Sequence, residues 1–533
     1  MKKITKRILA ALLAGTMCIS MAACSNDGND SDANSSPSAS PSASSPGTDA
    51  NQPANGKVLA DDVTLNLLIG SHASYPYDEN WVLWDIVREK VGGKLNITAV
   101  NNADMMTKVN LAMASKKDMP DVLHVIGKEY VAAHCLSGAF VNINDNLDLL
   151  PNFVAWRDAT PDSAEIIKQR TAGDGNFYHF PVYGLQTINN LRTWMYREDV
   201  FKANNLEAPK TLDEMYEVAK QLKAIYPDSY PVCFRSGIDQ MNVMGSQFKP
   251  YFECGFYYDF NADKWEYGGI DPTMKEVIQY FKKLKDESLV PPNFLTIETA
   301  DWQELVATDR GFMMPEYIIR IDFFNLPARA SGKTDYTWKV MAPPEGPNGD
   351  ARVKKTNVEI SGYLVCNTGN KANMENALRY VDWFYSPEGQ ETISWGEEGV
   401  TFEVKDGKKQ FILGDGELAR NKYGFGTYGL YQVMDSASNE ALYTEENVKN
   451  AHEAVTYTME KANPLLWLPI EEADQITAAA LTETINTYSQ EQVSAFILGE
   501  RSLDEWDKYV EEIMAMGIQE VLDIYTNAYD KVK

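Results

Sequence analysis

The chain from about Val63 onward reads as an α/β protein built on a mainly parallel sheet with helices on its faces. Three observations carry that expectation. Segments of strand and helix character alternate from Val63 onward, the order that builds parallel sheets. The run Asp121-Val122-Leu123-His124-Val125-Ile126 is short and almost wholly apolar, as in a strand buried on both faces. The 533 residues, 44% hydrophobic and 11% aromatic, suffice for one large core or two moderate ones, and two lobes suit the length better.

The N-terminus stands apart from that fold. Lys2, Lys3, Lys6 and Arg7 precede an apolar stretch, Ile8 to Ile19, and the small-residue run Met21-Ala22-Ala23-Cys24 closes it. This is the plan of a secretory signal, too short for the roughly 20 residues of a permanent span and lacking a stop-transfer cluster. Residues 1–23 are therefore expected to be removed. From Ser25 to Lys57 there is no Val, Ile, Leu, Met or aromatic residue, so this stretch cannot bury enough apolar surface to offset its ordering entropy. Residues 24–57 read as a tether, partly extended through the Ser-Pro-Ser-Ala repeat.

The folded part begins with a strand at Val63 to Ile69, a helix at Asn80 to Lys90, a strand at Leu95 to Val100, a helix at Met105 to Ala114 and the strand at Asp121 to Ile126. Phe177 to Tyr183 and Leu191 to Tyr196 follow as strands. Leu212, Tyr216, Ala219 and Leu222 then mark an amphipathic helix capped by Thr211 after Pro209.

Charge narrows the function classes. The net charge is −27, and removing the four cations of the leader, which holds no acid, brings it to −31. Nucleic acid is excluded as a partner, because phosphate binding rests on Lys and Arg. Cys135, Cys233, Cys254 and Cys366 lack CxxC spacing and sit in apolar contexts, which suits buried free thiols, with a Cys233–Cys254 disulfide as the alternative. The five histidines are scattered, without HExxH spacing, and no metal or other cofactor is expected.

Four blocks, in order, carry a resemblance. They are Arg192 to Phe201 with Pro209 and Thr211-Leu212-Asp213-Glu214-Met215; Asn261 to Pro292 with Gly268-Gly269; Asp382-Trp383-Phe384-Tyr385-Ser386-Pro387-Glu388-Gly389 with Trp395-Gly396-Glu397-Glu398-Gly399-Val400; and Leu503 to Val510 with Gly517 and Tyr525 to Asp530. Together they resemble the extracellular solute-binding proteins of oligosaccharide ABC importers, and Met21 to Cys24 resembles a bacterial lipobox. The resemblance implies a two-lobed periplasmic-binding-protein-like fold, each lobe a mainly parallel sheet flanked by helices, joined by crossing strands near Phe180 to Leu185 and Lys339 to Pro344. Lobe I would take 58–183 plus about 345–400, and lobe II 184–344 plus about 401–533 with the C-terminal helices. It further implies a monomer, lipidated at Cys24 on the outer face of a Gram-positive cell membrane, that passes an oligosaccharide to membrane permease subunits. A calcium loop that some relatives carry would fall at Ile225 to Pro231, where this chain offers a single carboxylate, too few oxygens for calcium.

Sugars present apolar C–H faces and a rim of hydroxyls, so their sites combine aromatic platforms with a few polar groups. Tyr75, Trp81, Trp194, Trp302, Tyr317, Trp338, Trp395 and Trp467 lie near expected strand ends, helix starts or crossings and are the candidate platforms. Glu316 is a candidate acceptor for hydroxyls, or else a helix N-terminal acid. Arg192, Arg235 and Arg320 could clamp a uronate carboxylate, or could satisfy nearby Asp and Glu. The rival readings are a secreted glycosidase or polysaccharide lyase, for which Glu397-Glu398 is the tempting pair, and a polysaccharide-holding scaffold. Adjacent residues point apart in regular structure, so solvation explains Glu397-Glu398 better and no enzyme is expected.

Overall fold

The structure is a computed structural model that describes residues 56–72, 74–115, 118–126, 134–184, 191–355, 361–464 and 468–533. The leader, Cys24, all but the last two residues of the tether, Leu185 and Trp467 lie outside the described residues. No helix among the described residues is long and apolar enough to cross a membrane.

The first five elements follow the expected alternation: β1 (Thr64–Ser71), α1 (Val82–Val91), β2 (Lys94–Asn101), α2 (Asn102–Ser115) and β3 (Val122–Ile126). The strand expected over Phe177 to Tyr183 contracts to β4 (Phe180–Pro181), because Phe177 bridges Thr171 instead and Pro181 has no N–H to extend a ladder. Next come β5 (Arg192–Arg197) and α3 (Leu212–Ile225), whose N-cap Thr211 accepts from the Glu214 amide at 3.1 Å. They are followed by the hairpin β6 (Phe256–Asp259) and β7 (Lys264–Tyr267), α4 (Thr299–Ala307), β8 (Met313–Tyr317), α5 (Ile319–Ala330), β9 (Trp338–Val340) and β10 (Ser361–Val365).

One sheet has the order β2-β1-β3-β10-β4, with β1 parallel to both neighbours and β10 antiparallel to both of its own. The period of two on β1 sends Leu67 and Ile69 to one face and Leu68 to the other, and each face has its own apolar cluster. Each fully buried leucine stabilises the fold by about 1.5 to 3 kcal/mol. The second sheet, β8-β5-β9, departs from expectation, since β5 pairs antiparallel with both β8 and β9. Strand-helix alternation is confined to the first lobe. In the second, β5 and β8 are separated by several helices and a hairpin rather than one crossover helix, so nothing imposes parallel pairing.

The last strand of the first sheet on this side ends at Pro181, and the second sheet begins at Arg192. The second expected crossing is displaced. Lys339 pairs with Tyr196, Glu345 with Thr211, and the Gly346 amide donates to Gln247 O at 2.9 Å, so this segment stays on the second lobe; the first sheet is regained at Ser361. The expected boundary near 400 shifts too. Trp395, Phe402, Phe411 and Phe425 pack ring against ring, and the Trp81 indole donates to Asn421 O at 3.1 Å, so this stretch stays with the first lobe. A further connection runs from Gln432, whose carbonyl accepts from the Tyr183 amide at 2.7 Å, to Asn450, whose side chain accepts from Val340 N at 3.2 Å. The four cysteines are buried free thiols.

A charged cluster ties the hairpin to its lobe. Tyr257 and Asp259 share one face of β6, and Glu266 stands opposite Tyr257 on β7. Lys249 Nζ sits among them, 3.0 Å from Asp259, Glu266 and Asp271 and 2.8 Å from Tyr257 Oη.

Candidate functional site

The carboxyl ends of parallel strands are where α/β sheets leave a crevice for ligands. At that end of β1 the backbone makes a tight turn: the Tyr75 amide donates to His72 O at 3.1 Å, and the Ser74 amide donates to His72 Nδ1 at 3.0 Å. The imidazole must then be neutral at Nδ1. Burial first, and the positive charges of Arg320, Arg420 and Arg235 after it, hold the His72 pKa down at about 3. Its ring stacks on Tyr75 at 5.4 Å.

This turn meets the second lobe. Ser74 Oγ accepts from Arg320 Nη1 at 2.5 Å and from Gln303 Nε2 at 3.3 Å. Arg320 opens α5, and its guanidinium lies 5.5 Å from the Trp302 ring and 5.1 Å from the Phe323 ring. Arg192, the first residue of β5, stands across from Tyr317, the last of β8, and lies 4.7 Å over that ring while its Nη2 donates to Gln240 Oε1 at 2.7 Å. Arg235 is different. Its Nε and Nη2 clamp both oxygens of Glu316 at 2.7 and 3.2 Å. Burial alone would raise the Glu316 pKa, but Arg235, Arg192 and Arg320 outweigh it and hold the carboxyl below its ordinary value.

Electrostatically, Arg192, Arg235 and Arg320 surround the Glu316 carboxylate, and the Arg420 guanidinium lies 5.4 Å over the Tyr75 ring, which Asp322 also faces. Glu316 is taken by Arg235. Among the described residues neither Arg192 nor Arg320 has a carboxylate within ion-pair distance, and the Nε of each is buried without a hydrogen-bond partner. In a chain with a net charge of −27, the buried Arg320 and the half-buried Arg192 are thus guanidinium groups without an acid of their own among the described residues.

The two sequence readings of the arginines thus divide. Arg235 satisfies an acid, whereas Arg192 donates to Gln240 and Arg320 to Ser74. Glu316, 1% exposed, has both oxygens occupied by Arg235 and the Tyr317 amide, so it supports the arginines and offers sugar hydroxyls little. Tyr317 and Tyr75 border the cluster. The tryptophan platforms are corrected. Trp194, Trp302 and Trp338 are fully buried, Trp395 is 3% and Trp81 7% exposed, and their indole N–H groups are spent on Gln247, Cys233 O, Tyr336, Asp435 and Asn421 O. Each ring is core, with no face open to a sugar; strand ends and helix starts are also where lobes need large apolar side chains. Glu397 and Glu398 are both exposed. His72, Ser74, Gln303 and Arg420 went unnoticed in the sequence, although the position of His72 to Tyr75 just past the first parallel strand was a usable signal.

Beside the arginines lies a cavity of about 870 Å³ whose wall includes Tyr75 and Phe323.

A family model described as bacterial extracellular solute-binding protein matches residues 85–397. A polygalacturonan/rhamnogalacturonan-binding protein of Bacillus subtilis is 23% identical over 452 residues, covering 83% of this chain and 86% of the relative. The crystal structure of an alginate-binding protein superposes with a TM-score of 0.74 at 21% identity, over 89% of this chain and 99% of the other. An ABC-transporter substrate-binding protein of S. pneumoniae in complex with kestose superposes with a TM-score of 0.70 at 18% identity, over 88% and 99%.

Proposed function

From the premise that the chain belongs to the bacterial extracellular solute-binding proteins, we propose that it captures a uronate-bearing oligosaccharide between its lobes and delivers it to an ABC importer. The observation that carries this reading is the pair Arg192 and Arg320, cations at the meeting of the two lobes without carboxylate partners among the described residues. A planar guanidinium fits a carboxylate through two parallel hydrogen bonds, and the rings of Tyr317 and Phe323 beneath the arginines keep them in place. Polygalacturonan and alginate, the ligands named for two of the similar proteins, are both polymers of uronic acids. The family binds solutes rather than transforming them, which leaves the lyase and glycosidase readings without support.

Oligogalacturonates are expected to raise the thermal midpoint, since a ligand that binds only the folded state stabilises it by mass action. The same ligands should contract the particle in small-angle scattering as the lobes close. Midpoint shifts with neutral oligosaccharides or peptides but none with any uronide would overturn the reading.

Lipid on Cys24 would complete the function by holding the receptor near its permease, where the tether of 24–57 raises its local concentration. Cys24→Ala is expected to release the protein into the medium with ligand affinity unchanged; retention in the membrane fraction would count against the anchor.

A further inference from the structure

We propose that Gln240 sets the charge preference of the site: it holds Arg192 with a neutral amide where an acid would fit, which leaves the charge of that guanidinium to a carboxylate on the ligand. This rests on the uronate reading of Arg192 and Arg320 and adds the positioning residue that governs it from behind the arginine.

Gln240 lies in the helix Gly237–Met244 and is 0% exposed, so its amide is answered from within the protein. Its Oε1 accepts from Arg192 Nη2 at 2.7 Å, and its Nε2 donates to Pro315 O at 2.6 Å. The two partners fix which end is which, because a guanidinium only donates and a carbonyl only accepts. Pro315 stands on β8 two residues before Tyr317, the ring under Arg192. One amide thus ties the head of β5 to β8 and keeps the guanidinium over that ring. The backbone that presents it is equally set. Ser236 and Gly237 both take left-handed conformations, at φ 70° and 49°, and a Cβ at 237 would meet Leu295 O at 2.3 Å. This turn brings Arg235, just before it, and Gln240, just after it, to neighbouring residues of β8, Glu316 and Pro315.

Two arginines are therefore answered differently. Arg235 has the carboxylate of Glu316 at 2.7 and 3.2 Å, and Arg192 has an amide oxygen at 2.7 Å. Glutamine and glutamate are nearly the same size, so a carboxylate at 240 would form with Arg192 the kind of ion pair that Arg235 already has, and would cancel its charge. The amide holds the guanidinium without cancelling it. Against the burial that would raise it, Arg235 first and then Arg192 and Arg320 hold the Glu316 carboxyl below its ordinary value, so the charge of Arg192 is felt across the cluster. A ligand carboxylate compensates that charge through a charge-assisted hydrogen bond. An uncharged ligand closes over a guanidinium that stays uncompensated, and this cost is the other half of the selectivity.

The test is calorimetric titration of the full mature chain with tetragalacturonate and with the same tetrasaccharide methyl-esterified at every carboxyl, a pair that differs in charge and little in shape. Wild type is expected to bind the acid at least about tenfold more tightly than the ester. Gln240→Glu should bring that ratio to within about twofold of unity, because the new carboxylate takes the charge of Arg192. Gln240→Met adds no acid and removes the hydrogen bond that aims Arg192, and should lower the ratio only about threefold. A merely structural role would weaken acid and ester together and leave the ratio where it was. Either variant keeping the wild-type ratio therefore overturns the role of Gln240 while sparing the uronate reading. So does Gln240→Met at unity, which would make aim alone and not charge the deciding quantity. If Gln240→Glu does not melt cooperatively, Gln240→Met decides the matter by the same two outcomes. Wild type that binds acid and ester alike overturns both readings.

Discussion

Arg192→Gln is expected to weaken binding of a galacturonate oligomer by about 10- to 150-fold, the loss of one charge-assisted hydrogen-bonding partner at about 1.5 to 3 kcal/mol. The substitution keeps a polar side chain opposite Gln240, whose Oε1 now accepts from Arg192 Nη2 at 2.7 Å, so the strand β5 and its pairing with β8 have no reason to move. What disappears is the cation over Tyr317. Arg192→Lys should fall between the two, because an ammonium keeps the charge but not the planar two-pronged geometry. Titration calorimetry with a uronide and with a neutral oligosaccharide reads the effect. Equal losses for both ligands, or a glutamine variant within threefold of wild type for the uronide, would remove Arg192 from the site.

Lys249→Met should be the most destabilising single change outside the apolar cores, at about 3 to 5 kcal/mol, because it strands Asp259, Glu266 and Asp271 without their shared cation. Asp259 is 3% exposed, so water cannot replace the ammonium there. Adding Glu266→Gln should restore part of the loss by lowering the repulsion. The wild-type cluster also sets an acid limit. Burial alone would raise the Glu266 pKa, but hydrogen bonds from Lys264, Tyr257 and Lys249 bring it down to about 2. A carboxyl depressed in this way contributes stability that is complete above its unfolded value near 4.3 and is lost as pH falls through about 2. The difference in urea midpoint between wild type and Glu266→Gln should therefore shrink from pH 5 to pH 2. A Lys249→Met midpoint within the equivalent of 1 kcal/mol of wild type would mean the three carboxylates are solvated after all.

Much of the fold was legible because its signals are local. The alternation that placed β1 to β3 and the helices between them depends on side-chain period, and the Thr211 cap depends on one hydroxyl three residues from an amide. The antiparallel second sheet was not legible, since β5, β8 and β9 meet across long intervening segments and nothing in their own residues states which way a distant partner runs. The tryptophans mark the same limit. Trp194 sits on a strand as expected and Trp338 opens β9, but burial depends on what the rest of the chain packs against them, and here both are fully buried.

By itself the sequence determined the two-lobed α/β class and the strongly acidic balance, set the expectation of an export signal closed by Cys24, and offered three arginines that either bind a uronate or satisfy neighbouring acids. Only the tertiary structure showed which of them meets an acid. It brought Glu316 to Arg235 across 81 positions of chain, and brought Ser74 rather than a carboxylate to Arg320 across 246. A guanidinium carries the same charge wherever it stands. Whether it is spent on the fold or left for a ligand depends on whether an acid lies within about 4 Å, and that is a fact of through-space distance which position along a chain does not encode.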